Sequence, residues 1–191
     1  MLKMRENLNP LQVNLLSNTI FNNFINTEEY KQSKVVYLYA SYRNEADTME
    51  LINRAIADGK KVALPCSYLS QGVPKMDFYY ISSLTDLVPG YKSILEPDRR
   101  KPNIVKTEEL PDIIVCPGVA FDNNMNRVGY GKGFYDYFLS SHHYSDDGVK
   151  PLLVGLCYSF QTSFDIPAEF NDIKMNMIIT ENGITYGRNN K

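Results

Sequence analysis

The spacing of apolar positions divides the chain into alternating helical and extended segments. Asn9-Pro10 offers a capping side chain followed by a first-turn proline. Leu11, Leu15, Leu16, Ile20, Phe21, Phe24 and Ile25 then recur near the 3.6-residue period, which predicts an amphipathic helix. After Ser33-Lys34, the β-branched and aromatic run Val35-Val36-Tyr37-Leu38-Tyr39 predicts a buried strand. Asp47 through Asp58 carries Met49, Leu51, Ile52, Ala55 and Ile56 at helical spacing, with Asp47 as the expected cap paired with Glu50, and Gly59 as the stop. The next apolar run, Val62-Ala63-Leu64-Pro65, completes a strand–helix–strand unit whose short connections imply a parallel pair.

Three further runs read as strands: Ile113-Ile114-Val115-Cys116, Leu152-Leu153-Val154-Gly155-Leu156 and Met177-Ile178-Ile179-Thr180. Between the first two, Gly133 to Ser140 is compatible with a helix. Continuous apolar runs of this kind mean strands covered on both faces, so the expected fold class is α/β, a mostly parallel sheet flanked by helices. Residues 66–110 are less regular. Met76 to Ile81 alternates and Pro89-Gly90 turns, which predicts a small antiparallel excursion. No repeat, low-complexity tract or linker divides the sequence, so residues 1–191 read as one domain.

Composition narrows the functional classes. With 43% hydrophobic and 22% charged residues, the chain is too apolar to be disordered. Lys plus Arg number 20 against 22 Asp plus Glu, so no global field would hold the protein on a nucleic acid or an anionic membrane. No apolar run approaches the roughly 20 residues of a membrane-spanning helix. The segment Met1 to Leu11 lacks the apolar stretch of a signal peptide, which makes the expected compartment cytoplasmic. Cys66, Cys116 and Cys157 show neither C-x-x-C spacing nor a neighbouring His, and read as small buried side chains rather than metal ligands. His142-His143 reads as part of a solvated loop.

One segment is dense in chemistry: Arg127-Val128-Gly129-Tyr130-Gly131-Lys132-Gly133-Phe134-Tyr135-Asp136. Three glycines at alternate positions remove the Cβ atoms that keep a backbone away from a ligand, and successive N–H groups at a helix start make an anion site. Arg127 adds a planar cationic fork and Lys132 a mobile point charge. Together these suit a polyphosphate. The spacing is neither the ordinary phosphate loop nor the dinucleotide fingerprint. Asp136 follows Lys132 by four residues, so both project from one helix face, and a carboxylate beside a phosphate cradle is a place for magnesium. A plain glycine-rich turn followed by a helix with a Lys–Asp pair is the structural alternative.

Together with Pro117-Gly118-Val119-Ala120-Phe121-Asp122, this segment resembles the motif of the 5-formyltetrahydrofolate cyclo-ligase family. Ala40-Ser41-Tyr42, Glu45-Ala46-Asp47-Thr48, Lys61 to Pro65, Glu96-Pro97 and Asn171-Asp172-Ile173 follow in family order, so the likeness covers roughly residues 8–182. It implies a fold like that of the sugar-phosphate isomerases and CoA-transferases. It also implies an ATP- and magnesium-dependent closure of 5-formyltetrahydrofolate, in its free or polyglutamylated form, to 5,10-methenyltetrahydrofolate, by a monomer or weak homo-oligomer. Carried over by residue, Arg127 through Tyr135 cradle ATP, with Lys132 and Arg127 catalytic. Ala40, Glu45 and Tyr130 through Phe134 border the folate, and Asp136 and Asp172 hold magnesium.

Two departures accompany the resemblance. Aligned through Leu8-Asn9-Pro10, the chain starts just past the Lys/Arg segment that reaches ATP in the family, and the register does not put Lys3 or Arg5 there. Asn176 stands where Asp is frequent, which questions metal affinity or activity. A folate- or nucleotide-binding protein without turnover, and an ATP-dependent kinase or ligase of another metabolite, are the competing readings.

Overall fold

A computed structural model of the chain describes residues 1–101, 103–105, 109–141, 150–162, 165–167 and 173–187. A short helix α1 (Leu2–Glu6) precedes α2 (Pro10–Ile25). The start of α2 is fixed by a reciprocal cap: Asn9 Oδ1 accepts from the Gln12 N–H, and Gln12 Oε1 accepts from the Asn9 N–H, each at 2.9 Å. Then come α3 (Glu28–Gln32), β1 (Val35–Tyr37), α4 (Met49–Ala57), β2 (Lys61–Ser70) and β3 (Val73–Ile81). A small ribbon, β4 (Leu87–Pro89) with β5 (Leu95–Pro97), leads to β6 (Ile113–Cys116). The ribbon β7 (Ala120–Phe121) and β8 (Arg127–Val128), α5 (Phe134–Ser141), β9 (Leu152–Leu156), β10 (Met177–Thr180) and β11 (Gly183–Tyr186) complete the fold.

The seven-stranded sheet runs β11-β10-β9-β6-β1-β2-β3. Every neighbouring pair is parallel except the two edge hairpins, β2–β3 and β10–β11. Alternate strand residues point to opposite faces. Val36, Ile113, Val115, Val154 and Met177 join Ile20 and Phe24 of α2 and Leu51, Ile52 and Ala55 of α4 in one core. Tyr37, Ile114, Cys116, Leu153 and Ile178 join Phe138 and Leu139 of α5 in the other. The three cysteines are buried and unpaired, Cys116 and Cys157 in the second core.

The expected strands at 113–116, 152–156 and 177–180 form as read. The segment from residue 66 onward differs: β2 continues past Pro65 to Ser70 and pairs with β3 across nine residue pairs, becoming the sheet edge rather than a small excursion. The reason is local. Strand β1 pairs with β2 only over Lys61 to Ala63, so Pro65 lies where β2 has one neighbour and its missing N–H is tolerated. The hairpin closes at Gln71-Gly72, whose φ values of 52° and 80° are both left-handed, as a tight two-residue hairpin requires.

The cap of α4 also differs from expectation. Its N-cap is Thr48, not Asp47, and no Glu50 partnership forms there. Asp47 Oδ1 instead accepts from the Met49 N–H at 2.9 Å and from Ser41 Oγ at 3.0 Å.

From β1 the chain passes to β2 on one side, while β6, β9 and β10 lie on the other. The carboxyl ends of β1 and β6 are therefore neighbours from which the connections diverge, and such a switch point opens a crevice in an α/β sheet.

Candidate active site

The crevice is a cavity of about 260 Å³. One wall comes from the β1 exit, with Tyr39, Ala40 and Glu45. The second is the glycine motif after β8, which contributes Arg127, Gly129, Tyr130 and Lys132 through Asp136 but neither Val128 nor Gly131. Val128 is exposed on β8, hydrogen-bonded through its carbonyl to the Val119 N–H. The third wall, which the sequence did not disclose, is the β4–β5 ribbon with Lys92, Ile94, Leu95 and Glu96.

Within the motif the glycines differ in purpose. Gly131 and Gly133 have φ of +75° and +69°, values a side chain resists, and a Cβ at Gly131 would meet nothing within 4 Å, so the loop surface is open to a ligand. At Gly129 a Cβ would lie 2.9 Å from Arg127 Nη1, so that glycine makes room for the arginine. Arg127 is folded inward: its side chain is 4% exposed, Nη1 donates to the Pro117 carbonyl at 3.1 Å, and Nη2 is paired with Asp136 Oδ1. Its Nε is buried without a hydrogen-bond partner among the described residues, as is Tyr135 Oη. Burial pushes the Tyr135 phenol well above its ordinary value. Lys132 is exposed at the mouth.

Glu45, just ahead of α4, is buried. It is 6% exposed. One carboxylate oxygen accepts from the Tyr42 N–H at 2.8 Å and the other from Tyr130 Oη, while Tyr158 Oη donates to the Glu45 carbonyl at 3.0 Å. Burial raises the Glu45 pKa, and the hydrogen bonds from Tyr130 and Tyr42 and the nearby charge of Arg5 oppose that rise without cancelling it. Tyr130 is raised in turn, by burial first and then by the carboxylate it serves.

These two halves, a cationic glycine cradle after β6 and a buried carboxylate after β1, are the pieces the sequence motif brought together. The chain matches the 5-formyltetrahydrofolate cyclo-ligase family over residues 1–181. It belongs to that family. A 5-formyltetrahydrofolate cyclo-ligase of Saccharomyces cerevisiae is 36% identical over 167 residues, 79% of this chain and 77% of the yeast protein. One of Haemophilus influenzae is 31% identical over 173 residues, 91% and 89% of the two chains. The solution structure of the Aquifex aeolicus 5,10-methenyltetrahydrofolate synthetase superposes with a TM-score of 0.81 at 32% identity, covering 100% of this chain and 90% of that one. The protein is an enzyme of this family, and among the described residues no helix is long and apolar enough to cross a membrane.

Both departures from the family pattern look different in three dimensions. The family match begins at residue 1, and α1 brings Arg5 into the site: it is 3% exposed, with Nη1 3.8 Å from Glu45 Oε1. A five-residue helix carries no periodic signal, so spacing gave no hint of this. Lys3 stays exposed.

Asn176 sits just before β10, at the amino end of the parallel strands and therefore at the sheet edge opposite the crevice. Its Oδ1 accepts from the Leu153 N–H at 2.8 Å, and its backbone links β9 to Gly187. An amide oxygen does that acceptor's work as a carboxylate would, so Asn176 bears on strand alignment rather than on a metal. Asp172 and His142-His143 lie outside the described residues.

Proposed function

We propose that the whole chain, as one domain, closes 5-formyltetrahydrofolate to 5,10-methenyltetrahydrofolate with conversion of ATP to ADP and phosphate. The observation that carries this reading is the crevice at the β1/β6 switch point, where an open cationic glycine cradle faces a buried carboxylate. A formamide oxygen is a poor leaving group. The formyl oxygen therefore attacks the γ-phosphorus, ADP departs, N10 adds to the activated carbon and gives up its proton to water, and the C–O bond breaks to release phosphate. Such a reaction asks the protein for positioning and charge neutralisation more than for covalent help.

In this reading, Lys132 and the backbone of Gly129 and Gly133, which line the crevice, receive the nucleotide phosphates. Arg127 joins them by exchanging its Asp136 contact for a phosphate, and its unpartnered Nε–H gains an acceptor. Glu45 accepts hydrogen bonds from the folate, Ala40 lines the same pocket, and the faces of Tyr130 and Phe134 flank the rings. Among the described residues no group of three His, Cys, Asp or Glu side chains forms a metal cage. Magnesium needs only one or two carboxylates when phosphates supply the rest, and Asp136, 66% exposed beside the cradle, fits that demand. The ion would neutralise charge on the transferring phosphoryl group.

Mixing the protein with Mg-ATP and 5-formyltetrahydrofolate and following the near-ultraviolet absorbance of the methenyl product tests the proposal. Product accumulation matching ADP release is the expected result. ADP without product would assign another acceptor, and folate binding without ADP would make the protein a binder.

A further inference from the structure

Arg5 is a buried arginine that stability alone does not explain. Its Nε–H has no acceptor among the described residues, and exchanging a buried ion pair for apolar side chains often leaves a protein no less stable. Yet its placement is built. The side chain of Asn44, next to Glu45, donates to the carbonyls of Arg5 at 3.1 Å and Leu8 at 2.9 Å, closing the end of α1. Arg43, one residue further back, pairs with Glu6 at 3.2 Å. Two adjacent residues of the Glu45 loop thus set the position of α1, and α1 carries the guanidinium to 3.8 Å from Glu45 Oε1 and 5.4 Å from the centre of the Tyr130 ring.

From this geometry we propose that Arg5 is a positioning residue for the folate site, which holds the Glu45 carboxylate ionised and aimed at the substrate through the ion pair and the Tyr130 ring. The proposal rests on the reading that Glu45 binds folate. Arg5 is the only cation among the described residues that opposes the rise in the Glu45 pKa. The other groups facing that carboxylate are the phenol of Tyr130 and the N–H of Tyr42, with Tyr39 and Tyr135 beyond them as neutral phenols. Without Arg5, burial acts on Glu45 with one opposing influence fewer. The carboxylate then takes up a proton at higher pH and loses its acceptor role.

The test is the dissociation constant of 5-formyltetrahydrofolate, measured by calorimetry without nucleotide, from about pH 8.5 to about pH 6 for wild type, Arg5→Met, Arg5→Lys, Glu45→Gln and Arg5→Met with Glu45→Gln. Arg5→Met should weaken binding about tenfold or more at the acid end and much less at the alkaline end, and Arg5→Lys should restore most of the affinity. In the Glu45→Gln background the arginine change should add nothing further. The lysine variant and the double variant keep the test open if Arg5→Met folds poorly. If Glu45→Gln weakens binding while Arg5→Met matches wild type at every pH, or if Lys and Met behave alike, Arg5 is structural and the folate role of Glu45 stands. If Glu45→Gln binds folate as wild type does, that role and this proposal both fall.

Discussion

Lys132 and Asp136 both line the cradle, but Lys132 precedes α5 and so does not share a helix face with Asp136 as the spacing predicts, and removing each should produce a different deficit. Lys132 is exposed at the mouth, so its loss disturbs little in the free protein, and on the proposed reading it removes a charge from the phosphate site. Lys132→Ala should lower kcat/KM for ATP by about 100-fold, the scale of one charge-stabilising contact, with folate affinity unchanged. Steady-state kinetics beside folate calorimetry would show it, and equal loss toward both ligands would make the loop structural. Asp136 is paired with the buried guanidinium of Arg127. Asp136→Asn should raise the magnesium concentration needed for half-maximal activity and leave the melting temperature within about 2 °C, because the amide oxygen still accepts from the buried Arg127 guanidinium. An unchanged magnesium titration would remove Asp136 from the metal site.

At the scale of elements, β6, β9 and the β7–β8 ribbon pack on a shared ring. Phe121 is fully buried, and a Cβ added at Gly118 or at Gly155 would lie 2.5 Å from it. The ring is wedged between the exit of β6 and the middle of β9, and from it the chain turns through Asp122 toward the glycine motif. The Asp122 carboxylate caps that turn, accepting from the N–H groups of Asn124 and Asn126, both at 2.9 Å. Gly155→Ala should therefore cost about 1–3 kcal/mol by overpacking, visible in chemical denaturation, and should also weaken nucleotide binding because the displaced ring carries the cradle with it. Lost stability with intact nucleotide affinity would separate the wedge from the site.

This scale also shows what the sequence could disclose. The strands at 113–116, 152–156 and 177–180 were legible because burial on both faces leaves an unbroken apolar run, and α2 because of its cap, although Leu11 and Leu15 of the predicted apolar face are exposed and the helix buries Ser17, Ile20 and Phe24. The β2–β3 hairpin was not legible past Pro65: a proline reads as a stop unless the neighbouring strand is known to have left. The resemblance singled out Glu45 and the glycine motif, and the structure brings them to one cavity. Arg5 was not, because its place depends on Asn44 gripping α1 from the far side of a long sequence separation.

For the whole molecule, the cavity joins the sheet end to a ribbon whose flanking segments carry two ion-paired aspartates, and acid should separate the two. Asp86 is held well below the usual carboxylate range, first by the hydrogen bond from Lys101 and then by the Ser82 N–H, and Asp98 is lowered to about 2 by Arg100. Both lie on the segment that carries the β4–β5 wall. Since their folded pKa values are depressed, their contribution is present above about pH 4 and is lost as pH falls toward the folded values. Glu45 has the opposite sign: its folded pKa is raised, so protonation as pH falls through that value removes a charge that burial disfavours and does not destabilise the fold. Folate affinity should therefore decline first on acidification, with the melting temperature level or slightly higher, and the melting temperature should fall only below about pH 4. Asp86→Asn should flatten that second decline and leave the first in place. Calorimetric affinity and thermal melts over the same pH series decide it: affinity and stability falling together at one pH would mean that the acid response belongs to the fold as a whole and not to Glu45 and the ribbon in turn.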